Sequence, residues 1–203
     1  MSRPTAFRDD RGQTLPLYIG LTAILLLAGF AFFAWAQAAS VRNQAQTAAD
    51  AAALAAAQEA REELMEGLEA SLADEGDWLD WLNPEKATGY GATAAAAELA
   101  ARNNASLQGG ALPAVHNGFP GYQVAVRTNF TVGESIIPGT ESTRAEASAA
   151  AVLQPRCQFE ADADPAEAVE LDCDGELVTL DPTDFDPADL PDAAVLFSVY
   201  LAD

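Results

Sequence analysis

Histidine, cysteine and carboxylate side chains carry most of the acid–base and metal chemistry of proteins, and this chain offers few arrangements of them. His116 is the only histidine, and it stands beside Asn117-Gly118, a pair typical of turns. The sequence contains no cysteine pair at zinc spacing, no glycine-rich phosphate loop and no nucleophile elbow. We therefore predict a protein that is not an enzyme and that uses no cofactor, metal or small-molecule substrate.

The two cysteines, Cys157 and Cys173, are the candidates for covalent chemistry. We expect them to form a disulfide if this part of the chain lies in an oxidising compartment, and two buried thiols are the alternative. A bridge that closes a loop of this length stabilises a fold by about 3 kcal/mol in the chain-entropy model.

Carboxylates are abundant in most of the chain after residue 49. There are 31 acidic and 10 basic side chains, the net charge is −21, and no lysine or arginine follows Arg156. Such a charge repels phosphate backbones, so we predict no nucleic-acid partner, and it also repels anionic lipid headgroups.

One acidic cluster is similar to part of a calcium loop, namely Asp172, Asp174 and Gly175. An EF-hand needs a further acid before the glycine and a bidentate glutamate at its twelfth position. Asp174-Gly175 is also a strong signal for a two-residue hairpin turn. We therefore expect a solvated acidic surface here rather than a calcium site.

The element that positions the rest of the chain begins near the N-terminus. No charged residue lies between Arg11 and Arg42, and residues 15–36 are almost wholly apolar. These 22 residues span roughly 33 Å as a helix, and the core of a bilayer is about 30 Å thick. Because lipid offers the backbone no hydrogen-bond partners, we predict a transmembrane helix over residues 13–37, after a leader at 1–12.

An alanine-rich run continues this helix beyond the membrane. Residues 44–60 consist largely of alanine, the best helix former, so we predict that the helix extends to about residue 73. Small side chains let another helix approach closely, which makes this run a candidate contact for partner proteins. We expect Asp50, the one charge in the run, to face solvent, cap a partner or meet a cation such as Arg42. The candidate contact residues are Ala45, Ala49, Asp50, Ala52, Ala53 and Leu54.

The flanking arginines set the predicted orientation. Arg3, Arg8 and Arg11 precede the apolar segment, whereas only Arg42 follows it closely. The positive-inside rule then predicts a single-pass protein of the cell membrane, with a cytoplasmic leader and an extracytoplasmic C-terminal part. The tripeptides that end at Ala36 and at residue 38 also fit a signal-peptidase site. The apolar run is longer than the usual apolar region of a signal peptide, however, which favours a retained anchor.

The remainder of the chain predicts an α+β fold in which the long helix packs on a small antiparallel sheet. Residues 90–104 predict a second helix, and residues 122–132 and 140–153 predict two paired strands joined by a turn at Pro138-Gly139. Short strands around the two cysteines and a final strand at 195–201 complete the pattern. We divide this part into an extracytoplasmic α+β region at 38–155 and an acidic β region at 156–203.

The first quarter of the chain resembles a known family. An Arg-Gly pair before an apolar segment, followed by Gln-x-x-Ala-Asp-Ala-Ala-Ala-Leu-Ala, is similar to the N-terminal region of TadE/TadG-like proteins of the tight-adherence (Flp) pilus-assembly system. The resemblance implies a pilin-like, envelope-anchored pseudopilin or assembly factor without catalysis, which contacts other pilus-assembly proteins. The matching residues are Arg11, Gly12, Gln46, Ala49, Asp50, Ala51, Ala52, Ala53, Leu54 and Ala55.

The resemblance also implies a candidate processing junction at Gly12-Gln13. Substrates of prepilin peptidases are typically cleaved after a glycine and carry a glutamate five residues further on. Leu17 occupies that position here, which argues against cleavage after Gly12.

Two functions of different classes follow from these observations. The first is a non-catalytic, membrane-anchored pilus-assembly protein similar to a pseudopilin. The second is a secreted or anchored acidic binding module, with calcium dependence as a further option. Cleavage near Ala36 would favour the second function, and an intact membrane segment would favour the first.

Overall fold

The computed structural model describes residues 14–74, 76–131 and 143–202, which form an α+β fold as predicted. Its helices are α1 (Thr14–Ala73), α2 (Ala92–Arg102) and the short α3 (Ala193–Leu196). Its strands are β1 (Ala105–Leu107), β2 (Leu112–His116), β3 (Phe119–Thr128), β4 (Glu146–Pro155), β5 (Cys157–Gln158), β6 (Val169–Cys173), β7 (Glu176–Leu180) and β8 (Phe197–Leu201). Short 3-10 turns follow α1 at Trp78–Leu82 and Pro84–Lys86, and two more precede α3 at Pro182–Asp184 and Pro187–Asp189.

Helix α1 is unbroken over 60 residues, or roughly 90 Å at 1.5 Å per residue. Its only proline, Pro16, lies in the first turn, where a backbone N–H has no helical partner to lose. Every side chain from Thr14 to Phe33 is exposed, and from Val41 onward one face of the helix is buried. The predicted apolar helix that continues into a long helix is therefore confirmed.

A five-stranded antiparallel sheet packs against the second half of α1. Strands β1, β3, β4 and β8 follow one another across the sheet, and β2 also pairs with β3. The segment from Gly121 to Gln123 pairs with β2 on one side and with β4 on the other. Strands β1 and β2 therefore share one edge of the sheet, and β8 forms the other.

The core lies between this sheet and the two longer helices. Val124 and Val126 of β3 and Leu153 of β4 are buried in one cluster with the alanines of α1. Helix α2 adds Ala96 and Ala100 to the same cluster. Small side chains on both helices let α2 lie close beside α1, since a methyl group takes little space between two backbones.

A second, three-stranded sheet contains β5, β6 and β7 in that order. The side chains of β6 alternate between buried and exposed, as expected for a strand with one wet face. Asp174 and Gly175 both have positive φ angles, 54° and 91°, as a type I′ hairpin turn requires. The predicted Asp-Gly hairpin is confirmed.

Several element boundaries differ from the predictions. His116 was expected in a loop but ends strand β2, and Asn117-Gly118 forms the turn of a β2–β3 hairpin. Strand β3 ends at Thr128, because that side chain accepts a hydrogen bond from the N–H of Ala145 and donates one to the carbonyl of Phe130. The predicted turn at Pro138-Gly139 lies outside the described residues.

The final strand also starts later than predicted. Residues 193–196 form the turn α3, in which the N–H of Val195 donates to the carbonyl of Asp192. Strand β8 begins only at Phe197, where the chain returns to an extended conformation and pairs with β4.

Candidate functional site

The first half of α1 presents a long apolar surface that no described part of the protein covers. One helix in the described residues, Thr14–Ala73, is long and apolar enough to cross a membrane, and its most apolar stretch is fully exposed. Burial of such side chains is favourable by about 25 cal/mol per Å², so this surface requires a non-aqueous environment. The large exposed apolar residues are Leu15, Leu17, Tyr18, Ile19, Leu21, Ile24, Leu25, Leu26, Leu27, Phe30, Phe32, Phe33 and Trp35.

The alanine run of α1 packs inside the protein. Ala45, Ala49, Ala52 and Ala53 are fully buried, and most of their neighbours on this face belong to the same core as α2 and the sheet. These small residues predict that another helix lies close to α1. In the structure, α2 of the same chain is such a helix. The role of this segment as a contact for partner proteins stays a prediction, and the structure limits it to side chains that remain partly exposed.

Two of the candidate contact residues do remain partly exposed, Asp50 and Leu54. The carboxylate of Asp50 accepts a hydrogen bond of 2.7 Å from the side-chain amide of Gln46, one turn earlier. This contact lies on the helix surface, where Asp50 remains partly exposed.

Glu63 of α1 holds the loop that leads into α2. Its Oε1 accepts hydrogen bonds from the N–H of Thr88 at 2.9 Å and from the Thr88 hydroxyl at 2.7 Å. Its Oε2 accepts a bond of 2.9 Å from the N–H of Gly89. Partial burial raises the pKa of Glu63, but these bonds, with one from the N–H of Tyr90, outweigh that effect and lower the pKa below its ordinary value.

Tyr122 of β3 closes the other side of this loop. A side chain at Gly89 would overlap the Tyr122 hydroxyl, so the loop backbone lies directly against the ring, and Gly89 has a φ of 69°. Burial raises the pKa of Tyr122, and the nearby Glu63 carboxylate raises it further. The two residues fix the start of α2 relative to α1 and the sheet.

Two tryptophans hold the chain that follows α1. Trp78 is fully buried, and its indole N–H donates a bond of 2.8 Å to the carbonyl of Pro165. Trp81 lies against α1 so closely that a side chain at Gly67 would meet its ring. This end of the domain, where α1 stops at Ala73, therefore also carries the acidic segment around Pro165. We call it the far end.

The small sheet is closed by a disulfide. Cys157 and Cys173 are bonded and are directly opposite each other on β5 and β6, as predicted. Beside them, Arg156 donates two hydrogen bonds. Its Nε donates one of 2.7 Å to the carboxylate of Asp174, and a terminal guanidinium nitrogen donates one of 2.6 Å to the carbonyl of Ala194. The bridge and this arginine tie the hairpin to α3.

The acids proposed for a calcium loop are engaged in other contacts. Asp172 accepts a bond of 2.7 Å from the N–H of Gly175, and Asp174 pairs with Arg156. Among the residues that the structure describes, no three histidine, cysteine or acidic side chains are placed to hold a metal ion.

The family comparison concerns the long helix. Residues 12–59 match a family model described as putative Flp pilus-assembly TadE/G-like. This segment is similar to that family. It covers about a quarter of the chain, namely the apolar half of α1 and most of its alanine run. Comparisons with curated proteins and with solved structures found no match.

The TadE/G-like segment confirms the resemblance drawn from Gly12 and from the residues between Gln46 and Ala55. The candidate processing residues Gly12 and Gln13 lie outside the described residues, so cleavage there stays a prediction. The sequence analysis did not single out Glu63 or Tyr122. One signal was available. Thr88 is polar and Gly89 is flexible, and both precede a helix, so a hydrogen-bond partner for them could have been sought on α1.

Proposed function

We propose that this protein is a non-catalytic, membrane-anchored pilus-assembly protein, similar to a pseudopilin, of a tight-adherence type system. One observation carries the proposal, which is that α1 is continuous from an exposed apolar half into the buried centre of the domain. A helix of that kind joins an anchor to a folded domain without a linker. The TadE/G-like match over the same helix supports the pilus-assembly role.

In the proposed topology, residues 1–12 are cytoplasmic, 13–37 cross the membrane, and the regions 38–155 and 156–203 lie outside it. The arginines at positions 3, 8 and 11 favour this orientation by the positive-inside rule. The Cys157–Cys173 disulfide also favours it, because such bonds persist in oxidising compartments.

The proposed partners are the membrane and other pilus-assembly proteins, with no nucleic acid and no small-molecule substrate. A partner helix can reach α1 beside Asp50 and Leu54, where side chains remain partly exposed. The high negative charge of the chain is unfavourable for nucleic acid.

Protease protection tests the topology. With one epitope at Met1 and another at Asp203, protease added to cells with a permeable outer barrier should remove the second and spare the first. Lysed cells provide the control, because both epitopes should then be lost. Protection of the C-terminal epitope in unlysed cells would contradict the proposed orientation.

The mass of the mature N-terminus tests retention of the anchor. We expect a chain that begins upstream of Thr14 and is recovered with the membrane fraction. A chain that begins near residue 37 would instead indicate a secreted acidic binding module. A chain that begins at Gln13 would keep the anchor and establish processing after Gly12.

A further inference from the structure

Strand β8 leaves one edge of the five-stranded sheet open. The N–H of Ala202 donates to the carbonyl of Ala150, and the N–H of Arg156 donates to the carbonyl of Leu196. These bonds fix the alternation along β8, so Ser198 and Tyr200 bond to β4 while Val199 and Leu201 direct their N–H and C=O groups outward. Within the described residues, neither outward-facing residue has a main-chain hydrogen bond on that side.

Strand β2 forms part of the opposite edge of the same sheet, which it shares with β1. Its two-residue turn makes His116 and Phe119 a hydrogen-bonded pair, so Val115 and Pro113 face outward. Proline has no N–H, which leaves Val115 as the outward donor and two carbonyl groups as outward acceptors. The side chains of Leu112 and Val115 are 62% and 69% exposed.

The two edge strands share one property, which is that neither has a charged side chain. Native proteins often protect an edge strand with charged side chains or proline. Neither LPAVH of β2 nor FSVYL of β8 contains an aspartate, glutamate, lysine or arginine, and Pro113 of β2 is the one proline in either strand. In a protein of net charge −21, contact between two copies needs surfaces without acids. The two edge strands are such surfaces, and each is five residues long.

Strand direction decides how copies could meet. Because neighbouring strands are antiparallel throughout, β2 and β4 run in one direction, and β3 and β8 run in the other. Strand β8 of one copy therefore lies antiparallel to β2 of a second copy that has the same orientation. Copies anchored in one membrane must have the same orientation, whereas β8 paired antiparallel with β8 would point the two anchors in opposite directions.

We propose that neighbouring copies of this protein join their sheets, with β8 of one copy antiparallel to β2 of the next. Val199 then lies opposite Val115 of the next copy and exchanges two main-chain hydrogen bonds with it, and the N–H of Leu201 donates to the carbonyl of Pro113. The contact is heterologous, so it leaves a free edge at each end and extends to further copies. This inference rests on the proposed function in one respect, namely the shared membrane that gives all copies one orientation.

Cysteine crosslinking of the full chain in its membrane tests the pairing. A variant with both Val115→Cys and Val199→Cys should form, after mild oxidation, a ladder of dimers, trimers and larger species on gels without reductant. Each single variant should remain monomeric. A control with Leu177→Cys and Val199→Cys should give no ladder, because Leu177 is similarly exposed, at 64%, but lies on β7 of the other sheet.

A second variant tests the main-chain bonds. Leu201→Pro removes an outward N–H without touching the bonds to β4, and it should reduce trimers and larger species about tenfold. Leu177→Pro is the matched control, since its N–H also faces outward on a free edge, and it should leave the ladder unchanged.

Three results would overturn the proposal. The first is the absence of a crosslink between positions 115 and 199 in a chain that has folded, as its Cys157–Cys173 bond would show. The second is a dimer of the single variant Val115→Cys that forms no larger species. The third is crosslinking of Val199→Cys to a different protein. Membrane fractionation tests the proposed anchor and not the pairing of the strands. A chain in the soluble fraction would contradict the proposed anchor, and the pairing would still stand or fall by the ladder in that fraction.

Discussion

Glu63 is a single side chain that connects two parts of the fold, because it lies on α1 and its two oxygens accept bonds from the loop that leads into α2. Replacement by alanine leaves the N–H groups of Thr88 and Gly89 without this acceptor. We expect Glu63→Ala to lower the free energy of unfolding by about 1.5 kcal/mol, the low end for bonds to a charged group, because the site is only partly buried. Denaturant unfolding of the full chain in detergent measures this, and the exposed Glu62→Ala is the control.

The same carboxylate predicts a pH dependence. Its pKa is lowered in the folded protein, from an ordinary value of 4.5, so its bonds stabilise the fold fully above that value. The contribution is lost as the pH falls from about 4.5 through the lowered pKa. Glu63→Gln should therefore show a smaller loss of stability than the native chain across this acidic range. Identical pH curves for the two proteins would contradict the assignment.

A comparison of alanine variants at Gly89 and Gly109 separates two effects of an added methyl group, namely backbone strain and overlap with a neighbouring side chain. Gly89 and Gly109 both have positive φ angles, 69° and 84°, but only at Gly89 would a side chain overlap another residue, the Tyr122 hydroxyl. We expect Gly109→Ala to cost about 1 kcal/mol from backbone strain. Gly89→Ala should cost about 1–3 kcal/mol more, from overpacking against Tyr122. Equal unfolding free energies for the two variants would show that the loop does not rest on Tyr122.

At the scale of whole elements, α1 combines two environments in one helix. Its alanine run was predicted as a contact between proteins, and the structure buries much of it against α2 and the sheet. Ala53→Leu should therefore overpack the core and destabilise the domain by about 1–3 kcal/mol. The exposed Ala70→Leu on the same helix is the control. A variant that kept its stability but lost partner binding would support the original prediction instead.

The small sheet depends on its covalent bridge. The cysteines are 16 residues apart, a separation for which the chain-entropy model gives about 3 kcal/mol of stabilisation. Replacing both cysteines with serine should increase hydrogen exchange in β5, β6 and β7 while the amides in the second half of α1 stay protected. Equal loss of protection in both parts would show that the two sheets unfold as one unit.

The elements that the sequence predicted well have strong local signals. The apolar run, the alanine run and Asp174-Gly175 each restrict the backbone through a few neighbouring residues, so α1 and the β6–β7 turn agree with prediction. Strand β1 was missed because its three residues are too few to establish an alternation, and β2 was missed because its side chains are mostly exposed and do not alternate in hydrophobicity. Their strand conformation comes from pairing with β3, a contact across the chain that no local pattern records.

At the scale of the whole molecule, the acidic residues are distributed unevenly. The bond from Trp78 to the carbonyl of Pro165 places the acidic stretch around Pro165 at the far end, tens of ångströms from the apolar half of α1. Charges in physiological salt are screened over about 8 Å. The net charge of −21 therefore does not oppose an anionic bilayer as strongly as the composition alone implies.

The unbroken path of α1 also has a mechanical consequence. From residue 36 to Ala73 the helix extends roughly 55 Å with no proline to bend it. In the proposed topology, a 10° change of tilt in the bilayer would therefore sweep the far end through about 10 Å. A load applied to the domain would likewise reach the anchor directly, because no flexible hinge lies between them. The helix then works as a stiff lever, so that pulling on the far end tilts the membrane segment, and tilting the membrane segment moves the far end.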